Sequence, residues 1–538
     1  MRWAEYLCAF GLTLALLTAE NPDMPERLPT LSVPEIVPPN AFSIEADFVR
    51  YAGENQYARA SGNVVVINGD VNLRANSTTV DFQARQLTVS DGFVFNRAQQ
   101  QIYGRALDYD LSSRAAKGRD VGMNILGSHI KGKSVVIGED SIVIHDAYQT
   151  TCPNEANPCN HITAQKMTLY PEWGNMVNDH AVVYFFFLPV AYVPNSVADL
   201  NGDQDNTYAA IPKLGYNPAE GNYVKIGWSF YQNEKFNGTL DLHYLEKLGL
   251  RSGFTDNYKL SQTHRGQIRA HYLSGLGGRF SYGWQHRILL GVPQKSRSQI
   301  IDDFFRGILP PSKNDYPEFI FELVNREMIG YQWVTYRPKV ALTLPAYEIW
   351  NTGLKYTFNG FVVNQLEENV ETISTVGDVD FEDGTRDYRQ QNWEGDLYRG
   401  FEGGWGKLTA GALYSDSTYF NGGYLSGLWS RLVYYVNGEK DWDRLSLKAG
   451  YKYTPYERGF SPFNAETFYA GTSEENNWGV GWKLFGDFKL HYEQYYSVTE
   501  HKIRDRVYGG EFKMHCWNVK VNWSEYYSQF SFGISMKK

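Results

Sequence analysis

From about Asn222 to the C-terminus, apolar and polar residues alternate with a period of two, the pattern of strands with one apolar face. Val224, Ile226, Trp228 and Phe230 take one phase against Lys225, Gly227 and Ser229. Leu240, Leu242 and Tyr244 alternate with Asp241 and His243, and Leu445, Leu447, Ala449, Tyr451 and Tyr453 with Ser446, Lys448, Gly450 and Lys452. Phe488, Leu490 and Tyr492 alternate with Lys489, His491 and Glu493, and Phe530, Phe532, Ile534 and Met536 with Gln529, Ser531, Gly533 and Ser535. Each run is about as long as a tilted strand needs to cross a bilayer. In hydrocarbon every backbone polar group must be paired, so such strands have to close into a barrel. The opposite phase, rich in Lys, Asp, Glu and His, then requires a wet lumen. About 18 strands are well marked, with room for more.

Composition supports the same reading. Hydrophobic residues make up 43% of the 538-residue chain and aromatics 15%, yet mean hydropathy is −0.44. A transmembrane barrel averages out in this way because alternate residues face lipid and lumen. The net charge of −9 argues against a nucleic-acid partner, which calls for a basic face. Past the first residues no apolar stretch is long enough for a spanning helix.

The N-terminus reads as an export signal over residues 1–19: Arg2, an apolar core from Tyr6 to Leu17, and a cleavage site at Leu17-Thr18-Ala19. Residues 20–40 carry Pro22, Pro25, Pro29, Pro34, Pro38 and Pro39, an extended linker. Residues 41–200 then show short strands and a weak repeat. Val49-Arg50-Tyr51, Val80-Asp81-Phe82 and Leu107-Asp108-Tyr109 share an apolar–polar–aromatic pattern, each followed by a Gly leading into a Val (Gly62/Val64, Gly92/Val94, Gly118/Val121). A period near ~30 residues built of strand pairs suggests a stacked β-structure with an apolar interior. A soluble β-sandwich is the alternative. Between the two parts, Tyr184 to Pro194 is the most apolar segment outside the signal. Pro189 and Pro194 bar it from a helix or a central strand. It is expected either at the domain interface or lining a lipid passage through Phe185, Phe186, Phe187, Pro189, Tyr192 and Pro194. Residues 201–538 form the barrel, with long loops expected at 291–317 and 365–392.

No catalytic motif emerges. The chain lacks HExxH, GxSxG, Walker A and Rossmann signatures, so no enzyme activity, cofactor or metal is expected. Asn201 to Asn206 and the acidic stretch Asp378, Asp380, Glu382, Asp383 and Asp387 read as solvated turns. Cys8 belongs to the signal, leaving Cys152, Cys159 and Cys516 in an oxidising compartment. Three is odd. Cys152–Cys159 would close a small loop; Cys152–Cys516 would staple the front domain to the last strands.

Several segments resemble the LPS-assembly (organic solvent tolerance, OstA-like) family LptD. They are Thr150-Thr151-Cys152-Pro153, Leu188 to Pro194, Ile211-Pro212-Lys213-Leu214-Gly215-Tyr216, and His515-Cys516-Trp517. The resemblance implies an all-β fold: an N-terminal periplasmic β-jellyroll followed by an antiparallel outer-membrane barrel. It further implies a lipopolysaccharide translocon fed by an LptA-like periplasmic bridge, with an LptE-like plug lipoprotein in the lumen and a Cys152–Cys516 bridge. Lipid tails would leave through a lateral seam joining about Tyr223–Tyr231 to Gln529–Met536. Val224, Ile226 and Trp228 would line one side of it and Phe530, Phe532 and Ile534 the other, with Pro212 and Pro218 weakening the ladder. This chain departs from the family in having one cysteine at the C-terminal position and little length for a very large barrel. A porin is the main rival, and a secreted glycan-binding or glycan-cleaving protein the third reading.

Overall fold

The computed structural model describes residues 42–536 apart from 200–212, 309–314, 370–374, 467–472, 514–516 and shorter turn segments. The signal and linker expected over 1–40, and Pro212, lie outside the described residues.

The front domain spans Phe42–Asp199 and consists of 14 antiparallel strands in one sheet. The sheet folds over itself where Val71–Asp81 pairs both Gln86–Val89 and Phe93–Arg97, giving a jellyroll wrap. Period-two alternation places Val64 and Val66, Leu73, Phe95, Ile142 and Ile144 on the enclosed face, each almost fully buried. Asn68 is a buried polar residue of this domain; its amide donates to Tyr109 Oη and Leu111 O at 3.3 and 3.2 Å. The repeat is visible in space: Val80, Leu107 and Tyr109 are core residues. Its first copy differs, because Val49 and Tyr51 lie on the Phe48–Ala52 strand, which among the described residues pairs only with Tyr57–Asn68, and are exposed. Gly62 has φ +76°, and a Cβ there would collide with Asp47. It sits at the register shift between Ser61 and Val64, where Asp47 N donates to Gly62 O at 2.9 Å.

The second part is a closed antiparallel barrel of 18 strands, from Lys213–Asn217 to Gln529–Met536. Its outward phase carries large exposed apolar side chains: Trp228, Leu242, Tyr244, Ile268, Tyr272, Trp393, Leu447, Trp478, Trp482 and Trp523. Among the described residues no helix is long and apolar enough to cross a membrane; the strands supply the span. Strands between Gln332 and Gly459 run to 15–18 residues, against 10–12 for those from Gly221 to Ile329. A bilayer needs only about 9–11, so that side of the wall projects beyond it.

One loop expectation is corrected. Residues 365–369 and 386–392 belong to the paired strands Leu354–Asn369 and Arg386–Gly403. Polar residues on both phases of the projecting part concealed those strands, since no lipid face is needed there. The loop shrinks to 370–385 with a small hairpin, Thr375–Val376 with Val379–Asp380. Within it Asp378, Glu382 and Asp383 lie outside the described residues. Asp387 pairs with Arg337 at 3.3 Å, exposed.

Candidate functional site: the barrel closure and the junction

The barrel begins one strand earlier than the alternation indicated. Among the described residues Lys213–Asn217 pairs with the closing strand Gln529–Met536 through three residue pairs, Leu214↔Phe532, Gly215↔Ser531 and Tyr216↔Phe530. On its other edge the closing strand makes eight pairs, with Trp517–Ser524. The seam therefore does not join Tyr223–Tyr231 to the C-terminus. Val224, Ile226 and Trp228 sit on the second strand, Gly221–Gln232, while Phe530 and Phe532 do lie on the closing strand. The side chain of Ile534 lies outside the described residues. Pro218 is in the turn after the opening strand, and its carbonyl accepts from Lys247 Nζ at 2.6 Å. A residue such as Gly215 carries no alternation signal, yet a Cβ there would meet the Tyr223 ring and Phe530 O. Only glycine lets Tyr223 lie across the closure.

Because the opening strand is five residues long, it covers only part of its neighbours. It reaches Lys225 of the second strand, leaving Ile226–Gln232 without a strand partner on that edge among the described residues. Gly533–Met536 of the closing strand likewise extend past the last registered pair. Both uncovered segments lie at the barrel end facing the front domain. There the last front-domain strand, Leu188–Asp199, packs beside the second barrel strand. Among the described residues the wall is thus notched where the two domains meet.

The junction segment is a strand hairpin, Asn175–Phe185 with Leu188–Asp199. Leu188–Asp199 ends the sheet, which is why Pro189 and Pro194 are tolerated. Phe186, Phe187 (82% exposed), Leu188, Val190 and Tyr192 are exposed, as is Pro189, while Pro194 is half-buried. The side chain of Phe185 lies outside the described residues. Next to this hairpin His161 stacks between Tyr148 and Tyr184, with centroids 5.0 and 4.4 Å away. Burial holds its imidazole below the usual histidine range.

The two domains are tied together on the barrel side. Lys259 Nζ donates to Trp173 O at 2.6 Å, and Lys235 lies 5.5 Å over the Trp173 ring. Phe304, from the barrel loop 290–317, is fully buried within the front-domain core cluster that holds Met176 and Ala181. Sequence gave no sign of this contact.

The disulfide expectation is corrected as well. Cys159 is the bridged cysteine. Its sulfur is 3.8 Å from that of Cys152, far beyond the roughly 2.05 Å of a disulfide bond. Cys152 is enclosed, its N–H donating to Thr150 Oγ1 at 3.0 Å. Cys159 precedes Asn160–Tyr170 and its carbonyl accepts from Phe186 N at the hairpin tip. Cys516 and the Asn201–Asn206 turn lie outside the described residues.

The lumen is polar and, on its N-terminal wall, densely paired. Glu318 accepts from Arg265 and Arg287 at 2.8 Å each, and Arg269 pairs with Glu327 and Glu322. Asp241 accepts from Thr255 at 2.7 Å and pairs with His271 at 2.9 Å. His243 stacks beside His271, a lumen position as its polar phase implied. At the far mouth a loop folds inward: Phe463 packs on Tyr419 and Trp429, and Glu466 accepts from Gln390, Tyr419 and Ser461 at 2.6–2.8 Å.

No family model matches the chain. A protein named LPS-assembly protein LptD from Shewanella oneidensis is 21% identical over 417 residues, covering 69% of this chain and 54% of that protein. Proteins of the same name from Shewanella denitrificans and Idiomarina loihiensis are 22% and 24% identical, over 44% and 41% of this chain and 32% and 29% of theirs. The chain thus spans between about a third and a half of the length of these relatives. Among solved structures, LptH of Pseudomonas aeruginosa, described as the LptA-homologous periplasmic component of a lipopolysaccharide transport device, matches 18% of this chain at 19% identity. The P pilus usher PapC matches 89% at 9% identity. Their TM-scores are 0.17 and 0.21, so the fold rests on its own strand pairing. The relatives share one name, LPS-assembly protein LptD, and this chain is similar to each of them at 21–24% identity.

Proposed function

We propose that the protein works in the outer membrane to pass lipopolysaccharide from a periplasmic carrier to the outer leaflet. The observation that carries this reading is the notch: among the described residues the barrel wall is least paired where the front domain abuts it. The cargo is amphipathic. Each CH₂ exposed to water costs about 0.8 kcal/mol, so the acyl chains need an apolar route throughout. The front-domain interior, periplasmic in this reading, supplies the first stretch and the notch opens it toward the bilayer. The saccharide, which hydrocarbon rejects, takes the polar lumen. A backbone hydrogen bond contributes about 0.5–1.5 kcal/mol net, so a three-pair closure can part where an eight-pair ladder holds.

The exposed Phe48–Ala52 strand is suited to receiving a strand from a bridge protein of the same jellyroll type. A plug lipoprotein would occupy the lumen. A solute pore would use the same lumen but leaves the front domain's apolar interior without a role. In this reading Cys159 bridges Cys516 and fixes the front domain under the closing strands. Non-reducing peptide mapping is expected to find that pair; a 152–516 or 152–159 pair would refute it.

The route is tested by photo-crosslinking in cells. With benzoylphenylalanine in place of Phe95, an interior residue, irradiation is expected to yield lipopolysaccharide adducts. In place of Lys117, which is exposed on the other face, it should yield none. Absence of adducts at Phe95 in correctly assembled protein would sink the proposed route.

A further inference from the structure

The C-terminal wall of the lumen differs from the paired N-terminal wall. A cavity of about 240 Å³ opens there, lined by Lys448, Lys489, His491, Glu493, Glu511 and Lys520. It adjoins a second one of about 430 Å³ that reaches Asn437, Asn477 and Tyr495 and shares Lys448 and Glu493. Its floor is made by missing side chains. A Cβ on Gly481 would strike Lys489, one on Gly479 would strike Glu493, and one on Gly509 would strike His491. The glycines let three long side chains lie down across neighbouring strands and hollow the wall.

Charge balance completes the picture. Lys448 pairs with Glu493 at 3.3 Å and Lys520 with Glu511 at 3.5 Å. Lys489 has no ion pair among the described residues, whereas Arg265, Arg269 and Arg287 on the opposite wall are all matched to carboxylates. The cavity lies in the half of the barrel facing the front domain, with Lys520 on the strand next to the closing one. A surplus ammonium in a concave site is a point-charge binder of phosphate. The amides of Asn437 and Asn477, which crowd together over Gly450, offer donors and acceptors suited to sugar hydroxyls.

We propose that this trough is a binding site for a phosphorylated saccharide, with the phosphate at Lys489 flanked by Lys448 and Lys520 and the sugar along Asn437 and Asn477. As a station for the cargo's head group it rests on the transport reading above, whereas binding itself does not require that reading.

The test is calorimetric titration of the full-length protein in detergent micelles with glucosamine 1-phosphate, glucosamine and inorganic phosphate. The phosphorylated sugar is expected to bind, more weakly at higher salt, and glucosamine not to bind. Lys489→Gln should weaken binding by about tenfold or more, and Lys489→Arg should restore most of it. Heat-modifiable migration of each variant reports an intact barrel. Equal binding by Lys489→Gln, or by glucosamine, would overturn the site. Inorganic phosphate binding as well as the phosphorylated sugar would overturn the saccharide half. Binding that persists in a protein whose depletion leaves surface lipopolysaccharide unchanged would refute transport and leave the trough standing.

Discussion

A disulfide joining Leu214→Cys to Phe532→Cys is expected to stop delivery of lipopolysaccharide to the surface while leaving the barrel folded. These positions face each other in register across the closure, and the link replaces a ladder of a few net kcal/mol with a covalent bond. If tails leave through the notch, the two strands must separate, and the locked form should lose nearly all delivery, recovering it on reduction. The same lock at Leu397→Cys and Ala412→Cys, a registered pair inside a long continuous ladder, should have no effect. Equal delivery by the oxidised and reduced closure variants, with the crosslink verified on a gel, would rule out lateral exit at this seam.

Phe304→Ala is expected to be the most damaging single substitution outside the strands. Removing a fully buried phenylalanine costs about 3–5 kcal/mol, part of it for the cavity left behind. Phe304 reaches from a barrel loop into the front-domain core, so the loss falls on the coupling between the domains. Limited proteolysis should cut the front domain of the variant much faster than that of the parent, with heat-modifiable migration of the barrel unchanged. Unchanged proteolysis would mean that Phe304 adds little to the joint.

The barrel was legible because lipid imposes its own periodicity: Leu445 to Tyr453 and Phe488 to Tyr492 declare their outward face residue by residue. The closure was not. Lys213-Leu214-Gly215-Tyr216-Asn217 is short and centred on a glycine, so alternation does not mark the first strand and points to a closure one strand late. Glu318 and Arg265 stand far apart in sequence and meet only through strand register, which a single-strand pattern does not encode. Cysteine spacing leaves connectivity open. Phe304, in a proline-rich loop, has no periodic context, and burial in another domain leaves no local signal.

Depleting the protein in cells and labelling surface lipopolysaccharide with an impermeant reagent tests the transport role most directly. Surface labelling of newly made lipopolysaccharide is expected to collapse while the lipid accumulates inside the envelope. Undiminished surface labelling after depletion would contradict that role.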